Sequence, residues 1–441
     1  MITLRRYPYP YQAAFTVCSD IDSSSWQDFT EIHAFLNTDA QTPFGPGVNL
    51  EIGDSFWFYS DQTAGDHAFS YFGDHPGEES IYAPVLRELI RSGWLDTLHS
   101  YGNFGPALPF RRQLAELAVA ESRVHNLEFP VWVNHGDLGR NPQSFGEGHG
   151  TADDPGNEEI YHTDLLPELG VSFFWESESY VNPVIGQDRP VPPWEAYFQP
   201  LTMHGLTDRA KHLYKVLNDY RNRWRRKRGK TQLKLWLKDP AENRLYEKHQ
   251  LCDGQHMYRF CRFGHGRYDW SEDIPQFLNE QTLHRLISRE GTSILYVHIG
   301  DRRNRNQPAL DPGTVKSFQL LASRAHQSRE VLVSTTARLL GYHALRDNLR
   351  FSTETEGDLT VIRLMGVTDP LIQNRFQQKE ALRGLTFYTD EPESTIIKWK
   401  GEIIDTMTNP QDSSGRPSIS IPWKSLPPFP IESLRKISKS L

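Results

Sequence analysis

The sequence predicts an α/β protein with a distorted parallel barrel of the (β/α)7 type over residues 1–345 and a smaller β-rich domain over 346–441. Three observations lead there. Short apolar runs alternate with segments of helical spacing from Ala13 to His298, the mark of strand–helix–strand units in a parallel sheet. The runs number about seven and most are followed by a helical segment, which favours a closed sheet. From about Asn348 helical segments give way to short strand-like runs between Asp, Glu, Pro, Gly and Ser turns, the pattern of a sandwich.

The first run, Ala13–Ser19, is rich in strand formers and stops on Asp20 and Asp22. Trp26–Leu36 reads as a short helix, and Val48–Tyr59 as a second strand carrying Asp54. Ala83–Ser92 has helical spacing and leads to the strand Trp94–His99. Arg111–His125 is an amphipathic helix that feeds Phe129–Val133, after which come Asn134 and His135. A Gly-rich loop over Gly139–Asn157 precedes the strand Val171–Trp175, which ends on Glu176. A variable stretch runs from Pro183 to Lys248 and includes the basic run Arg221–Lys230, read as a solvated helix end in an acidic chain. Met257–Phe263 is a sixth strand, Ile274–Glu290 is helical, and Thr292–His298 is a strongly apolar strand ending on histidine. Lys316–Ala325 and Val331–Leu345 are both expected as helices. In the tail, Leu359–Leu364, Leu385–Tyr388, Ser394–Trp399 and Ser418–Pro422 are the expected strands.

Composition narrows the function classes. The chain has 441 residues, 37% hydrophobic and 24% charged, and its net charge of -8 argues against a general nucleic-acid binder. Cys18, Cys252 and Cys261 form no CxxC pair, so a disulfide framework or thiolate zinc site is not expected and a reducing compartment is. No apolar stretch has the form of a signal peptide or a membrane span, so a cytoplasmic protein is expected. Aromatic content is 12%, including 11 Trp, whose faces suit sugar rings as well as cores. The sequence makes no prediction of oligomeric state.

In a parallel barrel the strand ends converge on one mouth. The residues there would be Asp20, Asp22, Asp54, His99, His135, Glu176 and His298. Asp20 and Asp22 share a face if the strand geometry persists, and two such carboxylates repel unless a proton, a cation or a basic group sits between them. That combination points to a metal or acid–base site.

These residues resemble the motifs of the polysaccharide deacetylase family of carbohydrate esterases. The family opens with an apolar strand and Asp-Asp, or in one branch Asp-x-Asp; here the pair is Asp20-Ile21-Asp22. Its His-Ser/Thr-x-x-His motif reads His99-Ser100-Tyr101-Gly102-Asn103, with Asn103 in place of the second histidine. Its last-strand histidine matches His298, while its arginine-bearing motif near the fourth strand is replaced by Trp132-Val133-Asn134-His135-Gly136. The likeness spans roughly residues 13–305, with a long divergent middle. It implies a seven-stranded distorted barrel, Asp20 as general base, His298 as acid and a divalent metal, expected to be zinc, held by Asp22 and His99. Asn103 and His135 both stand as candidates for the third ligand; the former shares a face with His99 if the segment is a helical turn. The implied reaction is removal of an N- or O-acetyl group from a carbohydrate, with Asp54, Trp57, Trp132 and Glu176 as candidate substrate contacts. A glycoside hydrolase pairing Asp20 or Asp22 with Glu176 and a sugar-binding protein without turnover are the alternatives. A haloacid-dehalogenase-type phosphatase ranks below them, because it needs a downstream lysine and an acidic pair where these strand ends offer histidines.

Overall fold

The computed structural model describes residues 2–66, 68–135, 152–176, 181–182, 184–191, 206–226, 228, 243–265 and 268–439. Two open sheets organise it. One has five parallel strands in the order Val181–Asn182, Arg262–Phe263, Thr292–Val297, Ala13–Ser19 and Val331–Val333. The other has six, in the order Tyr246–Gln250, His256–Phe260, Phe173–Trp175, Val131–Val133, Leu95–His99 and Asp54–Phe56, parallel except for the first. The chain crosses from one sheet to the other at Cys261, between His256–Phe260 and Arg262–Phe263. A second link is the Ile21 backbone N–H, which donates to Ser55 Oγ at 2.9 Å.

Burial explains why these runs are strands. All seven residues of Ala13–Ser19 and all six of Thr292–Val297 are buried, as expected where both faces of a parallel sheet are covered. Register then aligns their ends: Ser19 lies opposite Val297, and His99 opposite Val133, which is opposite Trp175. The carboxyl ends of strands far apart in sequence therefore finish at one level.

The helices Trp26–Asn37, Ala83–Ser92 and Arg112–His125 lie within a residue or two of the expected spans. Other segments differ, each for a local reason. Of Val48–Tyr59, only Asp54–Phe56 is part of the main sheet, because Asn37 Nδ2 donates to the carbonyls of Leu50 and Ile52 and takes them out of a ladder. Val331–Val333 is a strand beside Ala13–Phe15, and the helix starts only at Thr336. A buried Val-Leu-Val run is too short for its periodicity to separate strand from helix. Ile274–Glu290 breaks after Phe277, where Asn279 caps a new helix by accepting from the Thr282 N–H. Much of the expected loop Gly139–Asn157 lies outside the described residues.

Residues 346–441 are β-rich and form two small sheets, with Leu349–Glu356 as an additional strand in one. The other sheet takes in Thr3–Leu4 from the start of the chain, paired with Phe387 and Tyr388. Ile362, Ile397 and Ile419 share one apolar cluster with Ala14, Leu332 and Leu345, so the tail and the parallel sheets have a common core. A final helix, Ile431–Ser438, returns to the first: Trp26 Nε1 donates to the Leu434 carbonyl at 3.3 Å.

One buried histidine sets an acid limit. His162 is enclosed by Tyr101, Phe110 and Trp132, with Nδ1 at 2.9 Å from the Ile160 carbonyl. Burial pushes its pKa down to about 4. The unfolded chain binds that proton near pH 6.5 and the folded chain does not, so stability falls as pH drops from about 6.5 towards 4. A shift of this size is worth roughly 3 kcal/mol. His162→Phe is expected to flatten the acid limb of a denaturation midpoint measured against pH in that window; an unchanged limb contradicts the assignment.

Candidate metal and acid–base centre

Asp20 and Asp22 follow the end of Ala13–Ser19, where the backbone leaves the ladder. The Asp20 N–H still donates to the Val297 carbonyl at 3.0 Å, and Ser23 turns away with a φ of 59°. His99 closes its own strand, and Ser100 turns left-handed with a φ of 49° while its N–H bonds to the Val133 carbonyl. The His99–Asn103 segment is thus not a helical turn. It is two strands around a bend, and Asn103 reaches the site because Gly102–Asn103 pairs with Tyr59–Ser60. Gly102 is required there, since a Cβ would lie 2.1 Å from the Tyr59 carbonyl oxygen. On the opposite side Gly300, two residues past His298, leaves room for Ser24, whose Oγ would be 1.6 Å from a Cβ.

Three side chains meet. His99 Nε2 is 2.9 Å from Asp22 Oδ2, His135 Nδ1 is 2.9 Å from Asp22 Oδ1, and the two nitrogens are 3.0 Å apart. All three residues are buried. The outward nitrogens face acceptors: His99 Nδ1 lies 3.3 Å from the Val133 carbonyl, and His135 Nε2 lies 3.2 Å from Asn103 Oδ1. Asn103 Nδ2 donates to the Gly65 carbonyl, which fixes the amide with its oxygen towards His135. With protons on the outward nitrogens, the inner ones present lone pairs to each other and to a carboxylate. Such a cluster needs positive charge among its members. In the metal-free protein a proton supplies it: burial pushes His135 down, but the Asp22 charge outweighs this and raises its pKa. Burial likewise raises Asp22, and the charges of His135 and His99 outweigh it, holding the carboxyl well below the usual range. Asp22 Oδ2 is buried without a well-formed hydrogen bond. Two imidazoles and one carboxylate, each offering one ligand atom, are the donor set of an open three-ligand zinc site, so the residues fit a divalent metal. Asn103 stands one layer out, orienting His135, the usual place for a partner of a ligating histidine.

Asp20 and His298 flank this cluster. Asp20 is held in a fork by Arg262, with Oδ1 2.7 Å from Nη1 and Oδ2 3.0 Å from Nη2. The guanidinium is wholly buried and lies 3.6 Å from the Trp175 ring centroid and 4.3 Å from that of Tyr296. His298 Nε2 is 3.5 Å from Asp22 Oδ2 and 3.8 Å from Asp20 Oδ2, and Nδ1 is 3.4 Å from Asp269 Oδ2. Burial lowers the His298 pKa, but the Asp269 contact and the charges of Asp22 and Asp20 raise it to about 10. Its side chain is 17% exposed against 2% for His99, so the site opens on the His298 side.

The remaining candidates sit elsewhere in the network. Asp54 is buried, taken by His33 Nε2 at 3.0 Å and by the Ser55 N–H. Trp57 is buried and stacks on His99, 5.8 Å between centroids, so it backs the cluster from inside. Trp132 is buried as well, with Nε1 donating to Asn134 Oδ1 at 2.8 Å. Glu176 pairs with Arg259 at 3.0 Å. Sequence reasoning missed Arg262 and Asp269. For Arg262 a signal existed: an arginine inside an otherwise apolar strand needs a buried anion. Asp269 comes from a loop and carries no such mark. No family model, curated protein or solved structure matches this chain.

Proposed function

We propose that the protein is a metal-dependent hydrolase that removes acetyl groups from a carbohydrate, with the two open sheets as the halves of a distorted barrel. The observation that carries this is the meeting of Asp22, His99 and His135 between a forked carboxylate on one side and a carboxylate-backed histidine on the other. The resemblance of Asp20-Ile21-Asp22, His99-Ser100 and His298 to deacetylase motifs supports the choice of substrate.

A divalent metal held by Asp22, His99 and His135 would polarise both a water and the acetyl carbonyl. Asp20 would accept the proton of the attacking water, a contribution of roughly 10²–10⁴ in rate. Arg262 holds the Asp20 carboxylate through two hydrogen bonds and fixes its plane. His298, oriented through Nδ1 by Asp269, gives the proton on Nε2 to the departing amine or alcohol as the bond to the acetyl group breaks. Acetate and the deacetylated sugar leave.

The test is release of acetate from acetylated oligosaccharides by zinc-loaded protein, with product length followed by mass spectrometry. The proposal expects acetate release at unchanged chain length, abolished by chelation and restored by metal. Shortened chains, or no acetate from either N- or O-acetylated substrates, count against it. Asn103→Ala is expected to weaken zinc binding roughly 10–100-fold, because His135 loses the group that orients it. Competition with a chromogenic chelator measures this; unchanged affinity removes Asn103 from the site's support.

A further inference from the structure

The helix Leu206–Arg226 is built the wrong way round for a helix that packs on a core. Leu206, Leu213, Leu217, Tyr220 and Trp224 are between 40% and 84% exposed. At 3.6 residues per turn their spacing places them within an arc of roughly 60°, one continuous stripe. The buried positions on the other side include Asp219 and Asn222 beside Val216. The sequence at and beyond its carboxyl end is strongly basic: seven of the ten residues from Arg221 to Lys230 are Lys or Arg and none is acidic. Arg228 lies 3.7 Å over the Trp224 ring, so cation and aromatic occupy the same end of the stripe.

A solvated helix end accounts for the charges but not for the leucines. The occupant of this face has to be apolar in the middle and anionic at its surface. A second copy of the same face brings only positive charge. A nucleic acid satisfies the arginines and leaves the leucine stripe in water. An anionic lipid bilayer meets both demands, with Trp and Tyr at the headgroup level and basic residues on the lipid charge. We infer that Leu206–Arg226 is an interfacial helix that docks the protein on an anionic membrane surface. It lies on the bilayer and does not cross it; among the described residues no helix is long and apolar enough to span.

The full-length protein is sedimented with vesicles of phosphatidylcholine alone and of phosphatidylcholine with phosphatidylserine. The expected result is at least about tenfold more protein on the anionic vesicles, declining as salt is raised. Leu217→Asp is expected to lower that binding by roughly tenfold or more while circular dichroism and zinc content stay unchanged. Equal binding to both vesicle types, or none, overturns the inference. So does anionic binding that Leu217→Asp leaves intact, which would mark a purely electrostatic site of the kind a nucleic acid uses. A wild-type dimer that Leu217→Asp dissociates, seen by light scattering, assigns the face to a second copy and also overturns it.

Discussion

Asp22→Ala is expected to purify without metal and without activity. Asp22 is the only carboxylate in the triad and touches both imidazoles, each at 2.9 Å. Its removal deletes one of three donors and the only negative one. The loss of zinc affinity should therefore exceed the roughly 10–100-fold expected for a second-layer group such as Asn103. The variant also leaves two inner nitrogens 3.0 Å apart with no anion to hold a proton between them. His135 then loses the largest of the charges that raise its pKa, leaving Asp20 and Asp66 against the burial that pushes it down. In the metal-free protein this contribution to stability is present below pH 6.5 and fades as pH rises through the raised value, so the variant should lose it at neutral and mildly acidic pH. Metal content by mass spectrometry and acetate release give the two readouts; retained zinc or retained turnover contradicts the account.

Asp20→Asn should behave differently, and the contrast is informative. The amide keeps the shape of the carboxylate but cannot take the proton from water, so turnover should drop by roughly 10²–10⁴ with zinc still bound. It also leaves the Arg262 guanidinium buried with its fork half satisfied. Breaking a buried ion pair from one side costs about 3–5 kcal/mol, so a lower melting temperature accompanies the loss of turnover. Normal turnover in this variant would remove Asp20 as the base, whatever the metal does.

Much of the site was legible in the sequence because strand ends are legible. Asp20, Asp22, His99 and His298 each follow a short apolar run, and register brings those ends to one level. His135 comes from the same rule, one residue past Asn134. What the sequence did not order was the layer around them. Asn103 depended on a helical turn over residues 99–103 and His135 on its strand end facing the same mouth; the left-handed bend at Ser100 breaks the helical turn. Trp57 and Trp132 are drawn into the core, the commoner role of a large aromatic side chain. The boundary expected at residue 346 follows a change of pattern in the sequence, and residues beyond it share an apolar cluster with the parallel sheets. Thr3–Leu4 and Ile431–Ser438 cross it from both ends, through pairings far too long-range for local periodicity to carry. Val331–Val333 illustrates the same limit at short range: three buried apolar residues fit either element, and only the neighbouring strand decides.

The central claim is spatial, and scattering measured on both sides of the zinc absorption edge from zinc-loaded crystals tests it most directly. The account predicts one strong anomalous peak bounded by Asp22, His99 Nε2 and His135 Nδ1, absent from Asp22→Ala crystals prepared in the same way. A peak elsewhere, or none between those three side chains at full zinc loading, would contradict it.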